Sequence, residues 1–201
     1  MNKFEEKKFN IGELKGISAK AIEEHLKLYA GYVKNANLVL EKLAELDTNP
    51  TPLGAGDAYA MTEMQRRFAF EFGGMRNHEY YFASLEGGTK NLEESSELKK
   101  AIAKDFGSFE NWLGKFKNLA LTRGIGWAML SCDKKTGQLL NHWVDEQHLG
   151  HLVSTSPILA LDMWEHAYLF DYIPAQKKDY VEAYFANLNW EVIEENFKNG
   201  K

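Results

Sequence analysis

The stretch from Ser18 to Leu46 constrains the fold more than any other part of the sequence. Its apolar residues recur at the spacing of one helix face, and they are Ile22, Leu26, Tyr29, Val33, Leu40 and Leu43. Ser18 is a favourable N-cap residue, and the prolines within residues 47–52 cannot continue a helix. The pattern predicts one long amphipathic helix that packs against a second element.

A second helix is predicted over Thr62–Leu85, and the pair of glycines that follows it is typical of a helix end. The two helices are expected to pack as a hairpin. The acidic, serine-containing stretch 91–97 is the best candidate for a domain boundary. We therefore expect an N-terminal helical hairpin domain over residues 1–90 and a C-terminal α+β domain over residues 91–201.

The C-terminal half changes from helical to strand-like patterns and back. Two predicted helices come first, followed by three short apolar segments between glycines and polar residues, which is the pattern of strands. In order, these are the helices Glu97–Phe106 and Ser108–Arg123 and the strands Gly126–Cys132, Leu139–Val144 and Pro157–Asp162. Helical spacing returns over residues 164–174 and 177–198. This order of elements predicts an α+β fold.

Composition excludes several classes of function. The chain has 24 Lys and Arg against 29 Asp and Glu, a net charge of −5, which argues against nucleic acid as the main partner because phosphate binding needs a basic face. No apolar run approaches the roughly 20 residues of a membrane span, so we expect no membrane insertion. The first ten residues lack the apolar stretch of a signal peptide, which favours the cytoplasm. Cys132 is the only cysteine, so neither an internal disulfide nor a cysteine zinc site is expected.

Histidines are the first candidates for chemistry, and the six are His25, His78, His142, His148, His151 and His166. Asp162 precedes His166 by four residues, and at helical spacing the two side chains would share one face and bind one metal ion. Taken alone this motif is weak, since a capping aspartate beside a core histidine gives the same pattern. His148 and His151 form an H-x-x-H pair, for which a surface loop is the favoured interpretation.

Taken together, several motifs are specific. The segments ISAKAIEEH, GGMRNHEYYF, FGSFENWLGKF, GIGWAML, LDMWEHAY and NLNWE follow one another in this order. Over nearly its full length the chain resembles the iron/manganese superoxide dismutase family. The resemblance implies a helical hairpin domain followed by a domain with a three-stranded antiparallel sheet. It also implies one Mn or Fe ion per subunit, bound by His25, His78, Asp162 and His166, with a fifth position open for water or hydroxide.

Two further positions favour manganese. In the family a glutamine donates a hydrogen bond to the metal-bound solvent, and in the iron form it lies four residues before the second-helix histidine. Gly74 occupies that position here, as is typical of the manganese form, and Gln147 lies where the manganese form has its glutamine. A hydrogen-bond donor at this place tunes the metal potential.

Aromatic residues are expected to surround the metal. Tyr81, Phe82, Trp127 and Trp164 match the aromatic residues of the family site. Their expected role is to exclude bulk water and anions larger than superoxide, and they would contribute to core packing as well.

The first helix departs from the family pattern. The family has a tyrosine eight residues after the first ligand, whereas Tyr32 comes seven residues after His25. Seven residues at about 100° each return to within about 20° of the same helix face, so Tyr32 still points toward the site. The family also has a histidine four residues after the first ligand, which gates the substrate funnel, and this gate histidine is absent here. Counted from His25 its place is taken by Tyr29, and aligned from the C-terminal side it is taken by Leu28.

The gate histidine of the family bonds across the dimer interface to a tyrosine, and Leu169 stands in that place here. Both members of one intersubunit hydrogen bond are therefore missing, a combination that can be nearly neutral because no buried polar group is left without a partner. Glu165, which in the family contacts the partner's last ligand histidine, is retained. We expect a homodimer with an altered interface.

The resemblance implies a superoxide dismutase, with superoxide as substrate and with protons entering through Gln147 and Tyr32. The alternative is a protein of the same fold that binds metal or a partner without useful turnover, because the gate histidine is absent. A two-metal carboxylate protein would need paired Glu-x-x-His motifs on helices, and the sequence has none.

Overall fold

The computed structural model describes residues 2–47 and 54–200. Its elements in chain order are α1 (Ala19–Asp47), α2 (Ala55–Ala83), α3 (Glu97–Phe106), α4 (Phe109–Ala120), β1 (Gly126–Asp133), β2 (Leu139–Asp145), β3 (Thr155–Asp162), α5 (Lys177–Ala186) and α6 (Trp190–Gly200). Two short 3-10 turns, Glu165–Ala167 and Pro174–Gln176, lie between β3 and α5. The α+β fold and the three-stranded sheet are as predicted.

Helices α1 and α2 pack against each other as the apolar stripe of α1 predicts. The side chain of Ser18 accepts a hydrogen bond from the amide of Ala21 and caps α1. The prediction that α2 begins at Thr62 is wrong, because the helix begins at Ala55. Its first turns are exposed and lack an apolar stripe, so periodicity could not find them, although Asp57 favours a helix start. Most of the proline-containing segment falls in residues 48–53, outside the described residues.

The sheet has the order β2-β1-β3, and both pairings are antiparallel. Strand β1 is in the middle and is buried on both faces from Gly126 to Cys132, which explains why its sequence is apolar without alternation. Strand β3 pairs with β1 on one side, and α6 and α2 pack against it. The buried end of β3 is Asp162, which places this residue in the centre of the protein.

The segment after β3 corrects one prediction and refines another. Residues 164–174 do not form a helix: a 3-10 turn covers Glu165–Ala167, a second begins at Pro174, and Ile173 before it is extended because proline restricts the preceding residue. The helical spacing predicted over residues 177–198 corresponds to two helices, α5 and α6, with a break between them. The break is stabilised by Asn187, whose side chain bonds both the amide and the carbonyl of Lys15, because asparagine side chains compete with helical hydrogen bonds.

One continuous hydrophobic core runs through the described residues of both halves, from Ile17 in the N-terminal part to Phe197 in α6. The division into domains at residues 90 and 91 stays a prediction. Within residues 2–47 and 54–200, no helix has the combination of length and hydropathy that a membrane span requires.

Candidate metal centre

Four side chains from three parts of the chain converge at one point in the core. His25 lies on α1, His78 on α2, Asp162 at the end of β3, and His166 in the 3-10 turn after it. Their nearest ligand atoms all lie within 4.8 Å of one another. The Oδ2 atom of Asp162 is 3.1 Å from Nε2 of His25, 3.1 Å from Nε2 of His166 and 3.5 Å from Nε2 of His78. The predicted ligand set is thus brought together.

The hydrogen bonding of His78 points to a cation. Its Nδ1 atom donates to the carbonyl of Gly74 at 2.6 Å, and because a carbonyl can only accept, this bond fixes the proton on Nδ1. The Nε2 atom then carries a lone pair, is buried, and has no hydrogen-bond partner. It faces a carboxylate oxygen of Asp162, which is also an acceptor. Two buried acceptors that face each other are stabilised by a positive ion between them.

The protonation states suit metal binding. Burial lowers the pKa of His25, and burial lowers the pKa of His78 to about 3, so both imidazoles are neutral at neutral pH. Burial alone would raise the pKa of Asp162, but the charge and hydrogen bond of His166 and the hydrogen bond of His25 outweigh it and hold this pKa below its usual range. Neutral imidazoles and an ionised carboxylate are the forms that bind metals.

Asp162 and His166 do not share a helix face, contrary to the interpretation from their spacing. Asp162 ends a strand, and its Oδ1 atom accepts a hydrogen bond from the amide of Trp164 at 2.8 Å. This bond turns the chain so that His166 folds back toward the other carboxylate oxygen, Oδ2. The Oδ1 atom of Asp162 therefore caps the turn, as in the alternative interpretation of a capping aspartate, and the Oδ2 atom lies among the histidines.

Aromatic rings surround the cluster. Tyr81 and Phe82 each lie 4.9 Å from the ring of His25, measured between ring centroids. Trp127 is 5.0 Å from His78, and Trp164 stacks at 5.7 Å on His166. The sequence placed all four near the site. Tyr81, Phe82 and Trp127 are fully buried and Trp164 is half-buried, so together they limit the access of bulk water to the cluster.

Tyr32 and Gln147 form a hydrogen-bonded pair beside the cluster. The Nε2 atom of Gln147 donates to the Tyr32 hydroxyl at 2.9 Å, and the indole of Trp127 donates to Gln147 Oε1 at 2.9 Å. The Tyr32 ring lies 5.1 Å from that of His78. Burial, together with the charge of Asp162, raises the pKa of Tyr32, so its hydroxyl is protonated at neutral pH.

The two candidate gate positions have different environments. Leu28 is 42% exposed, whereas Tyr29 is fully buried. The Tyr29 hydroxyl donates to Glu79 and accepts from the amide of Lys7, and burial raises its pKa to about 12. Tyr29 therefore faces the inside of the helical hairpin rather than an entrance.

Glu165 and Leu169 lie on the surface next to His166. Leu169 is 46% exposed and Glu165 is exposed as well. The side chain of His166 between them is 20% exposed, whereas those of the other three residues of the cluster are buried. The cluster is thus open at one place on this face of the chain.

The remaining histidines lie elsewhere. His151 is exposed and His148 is half-buried against Phe70. His142 lies on β2 with its Nε2 atom 3.0 Å from the hydroxyl of Ser131. Among the described residues, none of the three belongs to a group that could hold a metal ion.

Sequence reasoning missed a set of residues behind Asp162. The hydroxyl of Tyr180 donates to the main-chain carbonyl of Asp162 at 2.9 Å and lies 3.2 Å from the hydroxyl of Tyr81. Tyr184, one helical turn later, donates to the carbonyl of Ala160. The only signal in the sequence was the spacing of two tyrosines by four residues in a helix, which does not reveal their partners.

Comparisons with known proteins agree with this geometry. A family model described as iron/manganese superoxide dismutases, C-terminal domain, matches residues 94–196. A protein named iron superoxide dismutase from Cupriavidus metallidurans is 37% identical over 183 residues, covering 89% of this chain and 87% of its own length. One of the same name from Aquifex aeolicus is 33% identical, covering 92% and 86%. A manganese superoxide dismutase from Mycolicibacterium smegmatis is 35% identical, covering 86% and 80%.

Proposed function

The chain belongs to the iron/manganese superoxide dismutase family, and from that premise we propose that it disproportionates superoxide at one manganese ion. It is an oxidoreductase whose ligands are His25, His78, Asp162 and His166. The observation that carries the proposal is the pair of buried acceptors, His78 Nε2 and Asp162 Oδ2, which face each other at 3.5 Å.

The donor set fits the chemistry. Three imidazoles and one carboxylate suit a redox-active first-row metal and leave a position open for solvent. A bound manganese ion supplies one-electron chemistry, by which two superoxide ions and two protons become dioxygen and hydrogen peroxide. Tyr32 and Gln147 hold a proton next to this position, and the aromatic residues around the cluster exclude water from the ligand atoms.

The position of the buried glutamine in the chain favours manganese over iron. Gln147 is fully buried and is fixed through both ends of its amide by Trp127 and Tyr32. A side chain at position 74 would collide with the ring of Tyr32. These contacts support the arrangement of the manganese form, with its glutamine in the loop before β3. Relatives carry the name of either metal.

A homodimer is supported by the face that carries Glu165 and Leu169. The open edge of His166 lies there among exposed apolar side chains, including Phe170. A second copy of the chain would cover this edge and protect the ligand from solvent. Leu169→Glu is expected to yield monomers in sedimentation velocity, and a dimer that persists would contradict the proposed face. Location in the cytoplasm stays a prediction.

The alternative, a metal-binding protein without turnover, is not favoured. It rests on the absence of the gate histidine, yet Tyr32, whose ring lies 5.1 Å from that of His78, keeps its bond to Gln147. The shorter spacing after His25 leaves both side chains on one side of a regular helix.

The experiment that tests the function is reconstitution of metal-free protein with manganese and, separately, with iron. Metal content is measured by elemental analysis, and superoxide removal is followed by stopped-flow spectroscopy. We expect one ion per chain and rapid removal with manganese. His78→Gln should lose the ion, whereas His142→Gln, outside the ligand set, should retain it. Full occupancy without activity for both metals would overturn the proposal.

A further inference from the structure

The outer edge of β3 is paired by side chains instead of by a strand. Among the described residues β3 pairs with β1 on one side only. On the other side the carbonyls of Ile158, Ala160 and Asp162 accept hydrogen bonds from Asn196 at 3.1 Å, Tyr184 at 3.0 Å and Tyr180 at 2.9 Å, respectively. We call these three bonds the side-chain ladder. It satisfies carbonyl groups that would otherwise be buried without partners.

The geometry of the ladder follows from the repeats of a helix and a strand. Alternate carbonyls of a strand point the same way and are about 6.6 Å apart, while two residues four apart in a helix rise by about 6 Å. Tyr180 and Tyr184 are four apart on α5 and share one face. The spacing of their hydroxyls therefore matches the spacing of the carbonyls of Asp162 and Ala160. The helix and the strand run in opposite directions, so the earlier tyrosine bonds the later strand residue.

Only one member of the ladder contacts the metal cluster. The carbonyl that Tyr180 bonds belongs to the ligand Asp162, and its hydroxyl also meets that of Tyr81, whose ring packs 4.9 Å from the ring of His25. Tyr180 thus connects to two of the four ligands. Tyr184 makes the same kind of bond to Ala160 and a second one to Ser84, and neither residue is a ligand.

We propose that Tyr180 is a positioning residue for the metal ion, because it sets the position of Asp162 relative to His25. The inference rests on the proposed metal role of these ligands. Tyr180, Tyr81 and Asp162 are fully buried, so water cannot readily replace a lost hydroxyl. Loss of the hydroxyl frees the end of β3 to shift, and the Oδ2 atom of Asp162 moves with it.

The test uses a matched pair of variants, Tyr180→Phe and Tyr184→Phe. Each removes one fully buried hydroxyl that has two hydrogen-bond partners. Release of manganese to an excess of chelator and the urea unfolding of the metal-free protein are both measured. We expect similar losses of metal-free stability in both variants. Release should be about tenfold faster in Tyr180→Phe, the lower end of what loss of a residue behind a ligand costs, and unchanged in Tyr184→Phe.

A spectroscopic measurement separates positioning from general loosening. The electron paramagnetic resonance spectrum of bound Mn²⁺ depends on the geometry of its ligands, so it should change in Tyr180→Phe and keep the wild-type form in Tyr184→Phe. Equal release rates with equal spectra in the two variants would overturn the inference. If the wild-type protein bound no manganese, the proposed function would fail instead.

A second variant covers the case that Tyr180→Phe does not fold. Tyr81→Phe keeps the bond from Tyr180 to Asp162 and removes only the contact between the two tyrosine hydroxyls. Its manganese release should be faster than that of Tyr184→Phe. Release at the same rate in these two variants would contradict the inference that Tyr180 sets Asp162 relative to His25, because that link runs through Tyr81.

Discussion

The ring of Tyr32 lies where residue 74 would carry a side chain. An ideal Cβ on Gly74 would be 2.5 Å from Cδ1 and 2.7 Å from Cε1 of Tyr32, closer than such atoms can approach. The ring cannot easily yield, because its hydroxyl is bonded to Gln147 and its face lies against His78 and Phe70. The absence of a side chain at position 74 is therefore a condition for the bond between Tyr32 and Gln147.

Gly74→Ala is expected to displace Tyr32 and break this bond. Overpacking of this kind costs about 1–3 kcal/mol of stability, to be measured by urea unfolding of the metal-free protein. In a Tyr32→Ala background the same substitution should cost nothing further. Gly56→Ala in the same helix is the control, since its added Cβ would have no neighbour within 4 Å. An equal loss in both backgrounds would show that the collision is not with Tyr32.

Tyr32→Phe keeps the ring and removes the hydroxyl. We expect unchanged metal content but altered turnover or product inhibition, because Gln147 Nε2 loses its hydrogen-bond partner and the proposed proton route loses the Tyr32 hydroxyl. Pulse radiolysis at varied superoxide concentration distinguishes the two effects. Tyr29→Phe serves as the comparison, since the Tyr29 hydroxyl bonds Glu79 and Lys7 instead. If the kinetics were unaltered in Tyr32→Phe but changed in Tyr29→Phe, the proton route would run through Tyr29 instead.

Gln147→Ala removes the amide between Trp127 and Tyr32. We expect a shifted redox potential of the bound metal, measured by mediated titration, because a donor beside the open position is lost. The Trp127 indole is left buried without its acceptor, which costs about 1–3 kcal/mol of stability. The exposed Gln138 provides a control as Gln138→Ala. A potential equal to that of the wild type would show that Gln147 does not act on the bound solvent.

Stability should fall with acidification partly through His142. Burial lowers the pKa of this histidine from its usual 6.5 to about 4. The unfolded chain therefore takes up a proton near pH 6.5 that the folded protein accepts only near pH 4, so the free energy of unfolding decreases as the pH falls through this window. In His142→Gln the decrease should be smaller, as measured by urea unfolding of the metal-free protein at several pH values. Identical pH dependence in the two proteins would contradict this assignment.

The sequence predicted the elements whose pattern follows from burial. Three such features were predicted correctly, and each has one physical cause: the apolar stripe of α1, the uniform apolarity of the buried strand β1, and the hydrogen-bonding cap at Ser18. The start of α2 was missed because its exposed turns have no burial to create a pattern. The break in the C-terminal helical region was missed because Asn187 is bonded to Lys15, a residue far away in the sequence.

The four predicted ligands came from motifs, and the structure brings their side chains together. What could not be predicted is how they are held. The tautomer of His78 depends on the Gly74 carbonyl, and the position of Asp162 depends on Tyr180. Both are contacts between a side chain and the main chain, and such contacts leave no trace in residue type or spacing.

The side-chain ladder also bears on how the protein is made. Asn196, Tyr184 and Tyr180 are synthesised after all three strands, yet they complete the edge of the strand that ends in Asp162. A nascent chain that has only just completed β3 has β1, β2 and β3 but not yet the groups that fix the carboxylate. Capture of the metal is therefore expected only after α5 and α6 have been synthesised and have docked.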